Sequence, residues 1–207
     1  MQKKGNKKEQ QRLSSIDRIM KCALELFVTN GYRATTVDMI GSRAKLTKGA
    51  IYFHFKNKEA ILLRLLDDAE AIVVDSAVAL LADGNIPALD KFVAFLNQQS
   101  NVALSHPRHL LLLILMSVEF YGTKAEIEVR VRSIYLRLYS HIDGIIHQGQ
   151  VEGSIRTDIR SHELTAVVMA EHDGTLIEWY RRPGELDGKN LARVARLTLL
   201  DGLKARS

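Results

Sequence analysis

The chain has 207 residues, 46% of them hydrophobic and 26% charged, a globular composition with length enough for one sizeable core or a small domain attached to a larger one. Its longest uninterrupted apolar run, residues 110–116, is far short of the roughly 20 residues a bilayer span requires, the N-terminus is a lysine run with no apolar segment behind it, and the single cysteine, Cys22, excludes an internal disulfide; no membrane partner is expected, and the cytoplasm is the expected compartment. The net charge of +5 is unevenly spread, because residues 1–64 hold 14 Lys and Arg against 5 Asp and Glu, which makes the N-terminal third the part suited to a polyanion.

The stretch "MQKKGNKKEQQR" sets Lys3, Lys4, Lys7, Lys8 and Arg12 against Glu9. This basic tail, residues 1–13, is either a solvated coil or an arm that follows a DNA backbone or enters its minor groove. Ile16, Ile19, Met20, Ala23, Leu24 and Phe27 then recur at helical spacing, behind Ser14 and Ser15 as caps and ahead of Asn30-Gly31 as a stop. Thr35 or Thr36 caps a short second helix that runs through Ala44 and buries Val37 and Ile40. Thr47 caps a third, again short, ending near Phe55, and only Lys45 and Leu46 lie between the two. Asn57 caps a long fourth helix with apolar positions such as Ile61, Leu65 and Ile72. Pro87, just after Gly84-Asn85, opens a fifth helix to about Ser105, and Pro107 a sixth through Phe120. Ile127, Val131, Ile134, Leu138, Ile142 and Ile146 mark a seventh, with stops at Gly149 and Gly153. Leu164, Val168, Leu176 and Trp179 trace an eighth, stopped by Pro183-Gly184, and Leu191, Val194, Ala195 and Thr198 a ninth. No segment alternates with period two, so the expected fold is all-α with about nine helices.

Two short helices joined by a tight turn behind a longer one form a helix-turn-helix, whose second short helix can enter a DNA major groove. If Ile51 and Phe55, four apart, face inward onto Phe27, Val37 and Ile40, then Lys48, Gly49, Tyr52 and Phe53 fall toward the opposite face. Exposed Tyr52 and His54 among lysines suit a phosphate backbone, with Lys48 and Lys58 supplying charge. Thr36 and Thr47 stand at helix N-termini, where an anion is already favoured, and Gly49 lets the helix come close. The alternative is a surface aromatic cluster packed against the fourth helix.

The run "ALELFVTNGYRATTVDMIGSRAKLTKGAIYFHFKNKEAIL" resembles the DNA-binding domain of the TetR family of bacterial transcriptional regulators, over about residues 16–66. Phe27, Gly31, Tyr32, Thr35, Thr36, Thr47, Lys48, Gly49, Tyr52, Phe53, His54, Phe55, Lys58 and Glu59 stand at the offsets of the family pattern. Gly41 and Arg43 depart from it, where Ala and a variable polar residue are usual. The resemblance implies an N-terminal three-helix DNA-binding domain (residues 14–60), followed by a larger helical ligand-binding and dimerisation domain (residues 61–207). It implies a homodimeric repressor of a roughly palindromic DNA operator, released by an unidentified small-molecule ligand and needing no cofactor or metal. On this basis Thr36, Tyr52, Lys58 and the backbone around Thr47 become phosphate contacts. Val37, Lys48, Gly49, Ala50, Phe53 and His54 can meet base edges, with Lys48 to guanine as the specific contact.

Beyond residue 66 the resemblance rests on helix count, "GQVEGSIRTDI" and Asp173-Gly174. The last two helices of such proteins form an intersubunit four-helix bundle, which assigns Gly174, Trp179, Leu191, Val194 and Thr198 to a dimer interface. By helical face, Leu112, Leu115, Met116, Glu119 and Phe120 are candidate pocket linings from the sixth helix. Tyr135 and Tyr139 join them from the seventh, and Glu171, His172 and Thr175 from the eighth. For most of the apolar ones plain core is the competing reading. Glu119 and Glu171 each interrupt an apolar stripe, and a buried carboxylate needs an arginine, a histidine or a cationic ligand beside it.

An enzyme is the rival class, but the chain lacks Gly-x-Ser-x-Gly, a Walker-type loop, a dinucleotide fingerprint and His-Glu-x-x-His. The Glu171-His172-Asp173 run points its side chains about 100° apart. A second alternative is a regulator of the same fold that answers to a protein or to nothing.

Overall fold

The structure is a computed structural model that describes residues 2–80 and 86–205, with side chains from residue 13 onward. Its helices are α1 (Gln2–Asn30), α2 (Val37–Ala44), α3 (Lys48–His54), α4 (Lys58–Glu70), α5 (Ser76–Leu80), α6 (Ala88–Ser105), α7 (Pro107–Glu119), α8 (Glu126–Val151), α9 (Ser161–Arg181) and α10 (Gly188–Leu203). A π-helical turn, Ala71–Asp75, joins α4 to α5 without a break, so the described residues form nine helical rods, as the apolar spacing predicts. No single helix among them is long and apolar enough to cross a membrane.

Three N-caps fix the start of the helices that matter most. Thr36 Oγ1 accepts from Met39 N at 3.2 Å, Thr47 Oγ1 from Ala50 N at 3.2 Å, and Asn57 Oδ1 from Ala60 N at 2.8 Å; each such cap is worth about 1 kcal/mol. The turn between α2 and α3 needs Lys45 in the left-handed region, φ 54°, which lets Leu46 N reach Gly41 O at 2.9 Å. Gly41, the departure from the family pattern, is explained by this turn. A Cβ there would stand 3.0 Å from Leu46 O and 3.3 Å from Ile51 Cδ1.

Two boundaries differ from the sequence expectation. The helical backbone of α1 begins at Gln2 and not at Ser14 or Ser15, because Lys, Glu, Gln and Arg are good helix formers and continue the helix backward. The side chains of the basic tail, and Gly84-Asn85, lie outside the described residues. Gly149 does not stop α8, which runs on to Val151; it is buried in the last turn, where a Cβ would lie 2.5 Å from Ile155 Cδ1. The stop is made at Gly153, φ 73°.

The apolar core is continuous. Ile19, Ala23, Phe27, Ile40 and Ile51 hold the N-terminal helices together, Ile61, Leu62, Leu65 and Leu66 of α4 extend the core, and Phe92, Phe95, Leu112, Met116 and Ile142 complete it. Each large side chain so buried contributes about 1.5–3 kcal/mol. Both α1 and α4 pack on α7, so the N-terminal helices rest on the C-terminal ones through two rods at once.

Candidate functional site

On α3, Ile51 is buried and Phe55 packs against the core, while Phe53 is 78% exposed and Tyr52 47% exposed. The half-buried His54 meets Phe53 edge-on, with ring centroids 5.1 Å apart. Gly49 leaves the backbone open: a Cβ there would touch only Thr47 Oγ1, at 4.0 Å. Val37 is half-buried and Thr36, Thr47 and Lys48 are exposed. Lys48 Nζ lies 2.8 Å from Asp38 Oδ2, a hydrogen bond that pushes the lysine pKa up. Arg43 is paired with Glu25 of α1, and its hydrogen bond holds that carboxyl below the usual range. The outer surface of α2 and α3 is thus a contiguous face of aromatic rings, hydroxyls, a lysine and bare backbone.

Lys58 is a correction. The sequence places it among the phosphate ligands, yet its ammonium donates to Tyr32 O and Thr35 O, both at 2.7 Å, and lies 4.1 Å from the Tyr32 ring centroid. Burial pushes its pKa down. Lys58 braces the α1–α2 turn because the two carbonyls there point at the first residue of α4.

Glu119 is a second correction. Its carboxylate does not line a pocket; it accepts from Tyr32 N at 3.1 Å and Arg33 N at 2.9 Å. Phe120 follows it, stacking on Tyr32 at 5.3 Å, and Tyr32 in turn on Phe27 at 5.2 Å. The last turn of α7 therefore grips the turn that leads into α2.

Of the remaining pocket candidates, Leu112 and Met116 are core and Leu115 is on the surface. Tyr135 is half-buried and donates to Asp173 Oδ2 at 3.2 Å; desolvation, with Asp173 beside it, pushes its phenol far up. Tyr139 lines a surface groove between α8 and α9. Glu171, His172 and Thr175 do come together, on a cavity of about 70 Å³ between α6, α7, α9 and α10. Thr175 donates to Glu171 at 2.7 Å. Trp179 and Leu191, expected at a dimer interface, line this cavity, and Gly188 at the start of α10 lets the indole in: a Cβ there would be 2.8 Å from Trp179 Cε2. Val194 and Thr198 face outward, and Gly174 has no heavy atom within 4 Å of its absent Cβ. Sequence reasoning missed Gln99 and Arg196 on the cavity wall. Gln99 carried a readable signal, a polar residue in the α6 stripe of Phe92, Phe95, Leu96 and Val102.

The cavity continues, through shared Leu104, Leu176 and Trp179, into an outer cleft of about 1040 Å³ whose rim holds His106, Arg108 and His109. On the other side of the bundle, Arg130 and Arg137 of α8 converge on the nearly buried Glu70 of α4, and Arg137 also pairs with Asp75 at 2.8 Å.

The sequence model for the bacterial regulatory proteins of the tetR family matches residues 19–65, within α1 to α4. The crystal structure of the MbdR regulator from Azoarcus sp. CIB is similar at 52% identity and a TM-score of 0.85, over 91% of this chain and 98% of that one. The chain belongs to the TetR family. A relative from Rhodococcus jostii, the HTH-type transcriptional repressor KstR2, is 27% identical over 194 residues, 89% of each chain. FadR of Bacillus subtilis, solved in complex with stearoyl-CoA, shares the TetR fold at 22% identity and a TM-score of 0.72, over 89% and 97% of the two chains. As a TetR protein the chain is a DNA-binding transcriptional regulator and not an enzyme, and regulators of this family bind DNA operators as dimers.

Proposed function

We propose that a homodimer of this chain binds a roughly palindromic operator with one α3 in each of two successive major grooves, and that a small molecule held among the C-terminal helices releases it. The observation that carries the reading is the outer face of α3, where Phe53 and Tyr52 stand exposed beside the open backbone of Gly49. Adjacent exposed aromatics beside an open backbone form a contiguous patch of the kind that marks an interaction surface. Lys48, Gly49, Ala50, Phe53, His54 and Val37 then meet base edges, while Thr36, Thr47 and Tyr52 donate to phosphates at the helix N-termini. Lys58 acts from behind, by holding the α1–α2 turn. Val194, Thr198 and Gly174 supply the outward face on which α9 and α10 meet their copies. The name of the R. jostii relative supports repression. The fold's capacity to enclose a ligand is supported by the B. subtilis regulator and its stearoyl-CoA. Release follows when the rod of α4 and α5 swings and misplaces the two α3 helices relative to half-sites about one DNA turn apart.

The test is an electrophoretic shift with the intergenic DNA upstream of the protein's own gene, comparing wild type with the Lys48→Ala, Tyr52→Ala double variant. Specific binding by wild type and its loss, by at least about tenfold, in a folded variant is expected, since each base or phosphate contact is worth about 1–3 kcal/mol. Equal binding by both proteins would refute the assignment of α3.

A further inference from the structure

The cavity wall and the π-turn of the α4–α5 rod are joined by one buried chain of hydrogen bonds. Gln99, 3% exposed, lines the cavity, and its Nε2 donates to Val73 O at 2.9 Å and to Gln98 Oε1 at 2.7 Å. Val73 belongs to the π-turn. Those two acceptors fix which way the Gln99 amide faces, so it is Oε1 that meets His172 Nε2 at 3.1 Å, and His172 must carry a hydrogen there. His172 also lines the cavity; its Nδ1 lies 2.9 Å from Asp173 Oδ1, and the other oxygen of Asp173 accepts from Tyr135. The chain therefore runs from α8 through α9 and α6 to the turn between α4 and α5.

The π-turn is gripped at a second point by the same helix. Gln98 donates to Ser76 Oγ, which donates to Ile72 O. Gln99 thus holds one carbonyl of the π-turn directly, Gln98 reaches the preceding one only through the Ser76 hydroxyl, and Gln99 is itself held by a cavity histidine. π-turns inside α-helices are rare and frequently mark functional positions. Here the turn divides the rod into the part that carries the DNA-binding helices and the part that packs on α6.

We propose that Gln99 and His172 are the positioning residues through which the cavity acts on α4: an occupant that takes either hydrogen bond frees Val73 O, relaxes the π-turn and redirects α4. The inference rests on the ligand-released reading above and adds the route by which the signal leaves the site. It supplies a two-state element biased from one side by the cavity and from the other by DNA, which is what coupling between two sites requires.

Gln99→Leu imitates the displaced state at nearly constant volume, without any ligand. The full-length protein is compared with wild type in two measurements: affinity for the upstream DNA fragment that wild type binds, and amide hydrogen exchange. Expected are a Kd raised at least about fivefold, the lower bound of ordinary allosteric coupling, and faster exchange concentrated in Ala71–Asp75. Asn101→Ala, on the exposed side of α6 away from the cavity and the chain of bonds, leaves both unchanged. Should Gln99→Leu fold poorly, His172→Gln, which keeps one donor toward Gln99 but loses Asp173, is expected to show the same exchange pattern in weaker form. Wild-type Kd and exchange in the variants would overturn the proposal. So would a uniform rise in exchange across α6 and α9 with a lower melting temperature, which would make Gln99 an ordinary core residue. A wild type that binds no DNA would sink the functional reading but leave the exchange measurement as a test of the relay.

Discussion

A methyl group at position 149 has nowhere to go. The Ile155 side chain occupies the space at 2.5 Å and Ala88 Cβ approaches to 3.1 Å, so Gly149→Ala is expected to destabilise the fold by about 1–3 kcal/mol, the usual cost of overpacking. A lower urea midpoint with an unchanged slope would register it, and an unchanged midpoint would contradict the contact. The sequence reads differently at this scale, since a glycine near a predicted helix end is taken for a stop when its reason is the neighbour packed on it. Lys58 and Glu119 teach the same lesson. Each was visible as a charged residue in a suggestive place, but the acceptors of Lys58 and the donors of Glu119 are backbone groups of Tyr32, Arg33 and Thr35. Backbone partners carry no residue type, so sequence cannot announce them.

At the scale of elements, helix identities and starts were legible because caps, prolines and apolar spacing act locally. The π-turn was not, since nothing in "AIVVD" departs from ordinary helix composition. What holds it comes from other helices: the glutamines of α6 and the arginines of α8. Burial alone would raise the Glu70 carboxyl, but hydrogen bonds from Arg130 and Arg137 outweigh it and hold the pKa below the usual glutamate range. A carboxyl whose folded pKa is depressed stabilises the fold above its unfolded value, and that contribution disappears as pH falls through the folded value. Glu70→Gln is therefore expected to cost about 1–3 kcal/mol near neutral pH, where it leaves two arginines short of a charged acceptor. The gap between wild type and variant should close on acidification from about pH 5 downward. Denaturant titrations of both proteins across that range would show it; a constant gap would mean that the ion pairs are solvent-screened.

For the whole molecule, the division into a basic N-terminal third and an acidic remainder was readable from charge alone, and the exposed aromatic face of α3 from helical spacing. The cavity was only half readable. Its α9 members share a helix face, whereas α6 and α10 bring theirs from residues roughly a hundred positions apart in sequence, such as Ser100 and Arg196. The proposed intersubunit face was blurred for a similar reason: Trp179 has the composition of an interface but packs against Gly188, and Leu191 lines the cavity. Val194 and Leu197, each 46% exposed on α10, are apolar residues of the face proposed above to meet a second copy. The double variant Val194→Glu, Leu197→Glu is expected to sediment as a monomer and to lose operator binding at least about a hundredfold, because a half-site then binds without its tethered partner. A dimeric double variant would move the interface elsewhere.

The unbroken passage of α4 through Ala71–Asp75 into α5 also fixes an angular relation. A π-turn takes up one residue more than the α-helical turn it replaces, so removing one residue from this stretch is expected to turn α4 by about 100° about the rod axis relative to α5. The DNA-binding helices and the helices around the cavity would then be set against each other at a different angle, with no residue of either surface altered.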